Sequence, residues 1–335
     1  MIKIAVDAMG GDYAPKEQVE GAMLAIKNIK DLEITLFGRT EEINKYLTNS
    51  ERITIVEAPY VIPMGEKDPV RALREHKDSS LAMALSAVKN KEADAIVSSG
   101  ATQALVVGAH LIVRRMKGMK RTAIAPIIPS IDGRGTILLD SGANVDITPE
   151  YMLQHAHFAN VYAKEILKRE NPVIGLINIG TEEGKGRDLD KEIYKLLKED
   201  PRLNFYGNVE TKEVLNPPCD ILLSDGFTAN IVMKTMEGTA KGMGVMLKNE
   251  LKKGFLGKIG MILSAANLKR FKKKMQPEEI GGAMIYGISS VVIKAQGASK
   301  SYGFYNGIKQ AYNIVNGKVL EKVQEVLQKE ISSEE

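Results

Sequence analysis

Residues 180–186 read GTEEGKG and hold the residue types from which an anion site is built. Gly180, Gly184 and Gly186 bracket Thr181 and Lys185, and glycine lets the backbone approach a ligand closely. The run VIGLIN at 173–178 has the apolar, β-branched character of a buried strand. After Arg187, Leu189, Ile193, Leu196 and Leu197 recur at helical spacing. Strand, glycine-rich turn with one lysine, then helix start: that order puts N–H donors and an ammonium where a phosphate can sit. The turn is not a Walker A motif, because three residues rather than four separate Gly180 from Gly184, and Arg187 follows Gly186. A GxGxxG fingerprint is absent as well. Taken alone, the stretch also fits an ordinary turn with a solvated lysine.

Four other short polar loops follow strand-like runs. Asp7, Gly10, Gly11 and Asp12 follow residues 2–6; Ser99, Gly100 and Thr102 follow 95–97; Asp140 and Asn144 follow 136–139; Asp225, Thr228 and Asn230 follow 220–223. Between these runs lie helical patterns, such as Val19, Met23 and Ile26 behind Pro15, residues 79–89, and a helix from Pro149 to about Lys168. Alternation of this kind predicts an α/β fold with a mostly parallel sheet covered on both faces. Ligands of such sheets bind beyond the carboxyl ends of the strands, so the five loops are expected to share one site. Further expectations are a cap at Thr40, a long apolar helix ending near Met116, and a hairpin of 124–128 with 136–139 around Asp132-Gly133. An apolar run spans 285–293, and two helices close the chain. Arg71 and Arg74 share a helix face, where they either bind phosphate or pair with Asp68 and Glu75.

At 335 residues, 44% hydrophobic and 26% charged, the chain has ample material for a core. A net charge of +4 gives no general preference for polyanions, and absent Trp with 5% aromatics argues against a nucleic-acid partner. Cys219 is the single cysteine, which excludes an intramolecular disulfide and a cysteine-rich metal site; burial is its expected role. His155 and His157 point to different faces of their helix, and no metal is expected. No apolar run approaches a membrane span, and the N-terminus opens into a strand rather than a signal peptide, so a cytoplasmic location is expected.

Residues 251–277 contain no acid but carry Lys252, Lys253, Lys258, Lys269, Arg270, Lys272, Lys273 and Lys274. Phe255, Leu256, Ile259, Ile262 and Leu263 lie among them at helical spacing. An apolar stripe beside dense lysine reads as contact with an anionic membrane surface. The same stripe would suit a second subunit or an acidic carrier protein. Met233, Met236, Met243 and Met246 fall near one side of the preceding helix and either line an acyl groove or pack in the core.

Taken in order, VDAMGGD (6–12), LLDSGANVD (138–146), GLINIGTEEGKG (175–186), GNVE (207–210) and SDGFTAN (224–230) resemble the PlsX family of bacterial phosphate acyltransferases. The resemblance covers most of the chain. It implies a Rossmann-like three-layer α/β/α fold over 1–335, in a homodimer at the membrane surface; the basic stretch 251–277 is expected to protrude from that fold as a helical appendage. It implies transfer of a fatty acyl group from acyl-carrier protein to inorganic phosphate, with a glycerol-3-phosphate acyltransferase as downstream partner. The pattern departs at Ala101, Tyr13 and Gln296, so family roles needing an amide or imidazole there do not carry over.

Attack of phosphate on a thioester needs neither a cofactor nor a strong base, since the nucleophile arrives as an anion and the leaving thiol has a pKa near 8.5. Positioning and oxyanion stabilisation are the main tasks. The expected roles are Lys185 neutralising phosphate, the 180–186 amides cradling it, Asn230 and Thr228 donating to the oxyanion, and Asp225 orienting Lys185 or an amide. Helix capping is the competing role for Asp225 and Thr228. Rival functions are a short-chain acyl-CoA phosphotransacetylase, a dehydrogenase, and a non-catalytic membrane scaffold.

Overall fold

The computed structural model describes residues 1–274 and 281–334. Among the described residues twelve strands are formed: β1 (Ile2–Asp7), β2 (Leu32–Gly38), β3 (Ile53–Glu57), β4 (Ala95–Ser98), β5 (Ala123–Ala125), β6 (Ile127–Ile128), β7 (Thr136–Leu139), β8 (Val173–Asn178), β9 (Asn204–Glu210), β10 (Ile221–Leu223), β11 (Ala283–Tyr286) and β12 (Val291–Lys294). The helices are α1 (Lys16–Asn28), α2 (Thr40–Asn44), α3 (Pro69–Glu75), α4 (Ser80–Lys89), α5 (Thr102–Gly108), α6 (Pro149–Ile166), α7 (Asp188–Glu199), α8 (Gly226–Leu251), α9 (Gly254–Leu263), α10 (Ala265–Lys274), α11 (Ser301–Asn316) and α12 (Val319–Glu334).

The strands form two sheets rather than the one expected. Seven lie in the order β3-β2-β1-β4-β12-β11-β5 and five in the order β6-β7-β10-β8-β9. Pairing is parallel from β3 through β12 and from β7 through β9, so the α/β reading holds. The antiparallel pairs involve β5, β6 and β11. One apolar cluster runs through both sheets, including Ile4 and Val6 of the first and Ile174 and Ile221 of the second.

Pro126 divides the expected strand at 124–128. Proline cannot donate to a ladder, and the chain changes sheet there: Ile124 pairs with Ile285 of β11, while Ile127 pairs with Ile137 of β7. The expected hairpin therefore survives only as β6 and β7. The apolar run 285–293 is likewise two antiparallel strands, turning at Gly287 with φ of +78°. The long apolar helix is shorter than expected: α5 passes into a π-helical turn at Ala109–Val113, which ends at Arg114. Arg39, not Thr40, occupies the cap position of α2, and Thr40 is its first residue.

Among the described residues, no helix is long and apolar enough to cross a membrane. Helix α8 is buried only near its start, at Gly226 and Ala229, and then leaves the body. It carries α9, in which Phe255, Leu256, Ile262 and Leu263 are exposed by 72–82% and Ile259 by 38%. The expected basic appendage is described as far as Lys274; Met275, Gln276 and Pro277 lie outside the described residues. The methionine row of α8 does not act as a unit. Met233 and Met236 pack on the core of the second sheet, whereas Met243 and Met246 are exposed.

Candidate functional site

The five loops gather into two groups, one on each sheet. On the larger sheet, β1 and β4 are neighbours, so the loops that follow them touch. Asp7 ends β1 and its carboxylate accepts the hydroxyls of Ser80 at 2.6 Å and Ser98 at 2.7 Å. Burial pushes the Asp7 carboxyl above its ordinary value, and these hydrogen bonds pull in the opposite direction. Gly10 is required here: a Cβ would lie 2.4 Å from Asp7 Oδ2 and 2.7 Å from the Gly100 nitrogen. Ser99 Oγ donates to the Gly10 carbonyl at 2.7 Å, and Gln18 Nε2 donates to both Gly10 O and Ser99 Oγ. The Oε1 atom of Gln18 is buried without a partner. The Asp12 N–H donates to Gly297 O at 2.9 Å, joining the loop after β12 to the group. Gly11 holds φ of +116°. Thr102 opens α5 and is exposed.

Lys294 ends β12 beside Ser98 of β4 and donates to the Ala295 carbonyl. Burial lowers its ammonium pKa to about 8, while Asp7 and Asp12 raise it and Lys234 of α8 lowers it further. Lys234 itself is largely exposed and donates to Glu237 Oε2 at 2.8 Å on its own helix.

On the smaller sheet, β7, β10 and β8 are neighbours. Asp140, at the end of β7, accepts N–H groups of Ile124, Gly142 and Ala143 on Oδ1, and of Asn144 on Oδ2 at 2.7 Å. Asn144 donates its side-chain amide to the same Oδ2 and to Thr122 O, and its carbonyl accepts the Gly226 N–H. Asp140 and Asn144 thus build the loop and leave few free valences for a ligand. Asp225 caps α8: it accepts the Thr228 N–H at 2.8 Å and the Thr228 hydroxyl at 2.9 Å. It also accepts Arg187 Nη2 at 2.6 Å, and Arg187 in turn grips Asp190 through Nε and Nη2. Burial alone would raise the Asp225 pKa, but the bonds from Arg187 and Thr228 outweigh it and hold the carboxyl below its ordinary value. Asp190 first, then Asp225, raise that of Arg187. Asn230 spends one amide N–H on Ser141 O at 2.9 Å, which leaves its second N–H for a ligand.

The 180–186 turn is fastened from beneath by side-chain amides. Asn178 Nδ2 donates to Lys185 O and to Asn208 Oδ1, and Asn208 Nδ2 donates to Glu182 O. Gly186 has φ of +91° and no room for a Cβ, which would meet Asn178 Oδ1 at 2.6 Å. Gly184, by contrast, faces open space. Lys185 is 49% exposed, and its ammonium stands 3.9 Å from Glu182 Oε1.

This geometry corrects one expectation. Asp225 orients Arg187, not Lys185, and caps its helix while doing so. By sheet, the loops fall after β1 and β4 on the larger and after β7, β8 and β10 on the smaller. Arg187, Lys294, Lys234 and Gln18 were absent from the sequence-based candidates. Arg187 could have been found, since it directly follows the glycine turn, and a lysine closing an apolar strand run is the signal for Lys294. Cys219 is buried, as expected, and its thiol is pushed up to about 12, mainly by burial, so it stays protonated and inert.

The model of the fatty acid synthesis protein family matches residues 2–322. The chain is 50% identical over 329 residues to a phosphate acyltransferase of Acholeplasma laidlawii, covering 98% of each protein. It is 44% identical to a phosphate acyltransferase of Bacillus cereus, covering 98% of this chain and 99% of that protein. Among solved structures, a phosphotransacetylase from Streptococcus pyogenes superposes with a TM-score of 0.61 at 17% identity, over 96% of this chain and 94% of its own. The EutD phosphotransacetylase of Staphylococcus aureus gives 0.55 at 13% identity, over 93% and 94%. At these identities the structural matches speak for the fold.

Proposed function

Because the chain belongs to the fatty acid synthesis protein family, which matches nearly its whole length, we propose that it transfers a fatty acyl group from the thioester of an acyl-carrier protein to inorganic phosphate. A phosphate oxygen attacks the thioester carbonyl, the C–S bond breaks, and acyl phosphate and the free carrier thiol leave. Phospholipid synthesis is the route such an acyl phosphate serves, through a downstream glycerol-3-phosphate acyltransferase. The observation that carries the reading is the pairing of two glycine-lined loop groups, at the carboxyl ends of two parallel sheets, with cations held at each: Arg187 in one and Lys294 in the other. The curated relatives' name, phosphate acyltransferase, supports the same reaction type.

In this reading phosphate lies against the open face of the 180–186 turn, where Gly184 leaves space. Lys185 supplies a mobile ammonium, and Arg187, fixed by Asp190 and Asp225, a static guanidinium. The free N–H of Asn230 points the oxyanion role to α8. Lys294 carries positive charge from the larger sheet, where the developing negative charge of the tetrahedral intermediate would be felt.

Purified protein incubated with palmitoyl-carrier protein and labelled phosphate is expected to form labelled acyl phosphate. Turnover of acetyl-CoA instead would establish the short-chain alternative, and no turnover of either would leave a scaffold. Lys185→Ala is expected to raise KM for phosphate by about tenfold, the effect of losing one exposed cation worth near 1.4 kcal/mol. An unchanged KM would remove that lysine from the phosphate site.

Membrane association and a homodimer belong to the same proposal. Exposed Phe255, Leu256, Ile259, Ile262 and Leu263 on α9, next to exposed Lys252, Lys253 and Lys258, support peripheral contact with an anionic bilayer from the cytoplasmic side. Replacing Phe255, Ile259 and Ile262 with Ser is expected to abolish co-sedimentation with anionic vesicles; persistent binding would point to the lysines alone or to another face.

A further inference from the structure

Residues 114–121, between the π-helical turn and β5, lie outside the loops assigned above. Arg114, Arg115, Lys117, Lys120 and Arg121 are all exposed, and the sequence has no Asp or Glu between Asp94 and Asp132. None of the five forms an ion pair among the described residues. Arg115 reaches the Lys120 carbonyl, and the Arg121 guanidinium lies 5.6 Å over the Tyr151 ring. Glu150 is the carboxylate that feels Lys120, although its lowered pKa comes first from a hydrogen bond with Thr148. His110, behind the loop, is held below its ordinary value by burial and then by Arg115 and Arg121.

The loop is not a loose basic tail. Met116 and Met119 are buried at 5% and 4% exposure and peg it to the core. The Met116 N–H donates to Gly287 O at 2.9 Å, and the Lys120 N–H to Gln154 Oε1 at 3.0 Å. Gln154 also donates to Gly118 O, and Gln324 to Lys117 O. The backbone is therefore held by neighbours while five cationic ends face water. The next residue, Thr122, accepts the Asn144 side-chain amide at 2.6 Å, so the basic loop is continuous with the second group of site loops.

We propose that residues 114–121 are a docking surface for an acidic face of the protein that carries the thioester donor. This rests on the function proposed above and specifies how the donor is brought to that site. A rigid, unneutralised set of cations at a site's margin attracts and orients an anionic partner over a distance of about a Debye length, roughly 8–10 Å. A partner protein fits better than a bilayer, because the loop's own apolar side chains point inward and offer nothing to insert, whereas α9 exposes both apolar and basic groups.

The test is the double variant Lys117→Glu/Lys120→Glu. Only backbone atoms of these residues hold the loop, so folding should be intact. At low salt, kcat/KM with the acyl-carrier protein thioester is expected to fall by tenfold or more, with the difference shrinking at high salt. The same acyl chain on uncharged pantetheine should be turned over as by the unmodified protein. Equal loss with both donors, or no loss with either, would overturn the proposal, as would lost vesicle binding with unchanged kinetics. Titration of the carrier protein against both proteins reads docking without turnover. Weakened binding there supports the surface even if acyl phosphate is never formed, which separates its fate from that of the proposed reaction.

Discussion

Asp225→Ala should lower kcat/KM for acyl transfer by on the order of a hundredfold, the scale expected when a positioning group is lost and a reacting partner shifts by an ångström. The carboxylate joins two tasks. It caps the 26-residue helix α8 through the Thr228 N–H, and it fixes Arg187 against the 180–186 turn. Loss of the cap costs about 1 kcal/mol of stability. Arg187 is more than half exposed, so its ion pair adds little beyond that. Asp225→Asn separates the tasks, because its amide oxygen can still accept the Thr228 N–H but its charge is gone. Near-native thermal stability with a similar loss of kcat/KM would tie the effect to Arg187. Recovery of activity in the Asn variant would show that capping alone mattered. The sign with pH follows from the depressed pKa: this carboxylate stabilises the fold above its unfolded pKa near 3.9, and that contribution disappears as pH falls through the lower folded value.

Lys294→Met is expected to cost as much or more, roughly 10²–10³ in kcat, comparable with removing a preorganised donor from an oxyanion site. Its pH signature is distinctive. The buried ammonium has a pKa of about 8, below the unfolded value near 10.4. Activity that needs the charge is present below that pKa and falls as pH rises through about 8. Stability moves the other way over the same interval: between about 8 and 10.4 the unfolded chain binds more protons, so folding gains as pH increases. Rate measurements and thermal melts from neutral to alkaline pH should thus show opposite slopes, and both slopes should flatten in the Met variant. A variant that kept its alkaline limb would assign that limb to another group.

The strands and their carboxyl-end loops were legible because buried parallel strands are near-continuous apolar runs ended by glycine and small polar residues. Which sheet each strand joins was not, since an apolar run carries no address. The split at Pro126 shows this: five apolar-rich positions look like one strand, and only the missing N–H of proline hints that the chain crosses between sheets there. The site was legible in its loops and less so in its charges. Lys185 drew attention by sitting among glycines, but Arg187, two residues on, has the carboxylate partners. Asp190 stands three residues on, a spacing the sequence shows, but Asp225 comes from another strand end, a contact that residue spacing does not encode. Asp140 and Asn144 looked like ligand-binding groups by type. In the structure five hydrogen bonds to one carboxylate give them an architectural use, a satisfaction of polar valences that depends on three-dimensional closure.

Helix α8 is uninterrupted from the Asp225 cap to Leu251, a rod of 26 residues and so about 39 Å. Its two ends are consequently locked in angular phase: each residue added or removed along the exposed stretch would swing α9 by about 100° about the rod axis while leaving the cap untouched. A single inserted alanine would aim the apolar tip away from whatever it meets, whereas seven would bring it back to within about 20° and only lengthen the stalk by about 10 Å. Orientation and reach of the tip are thereby separable by ruler-like insertions, with the chemistry at the other end serving as the unchanged reference.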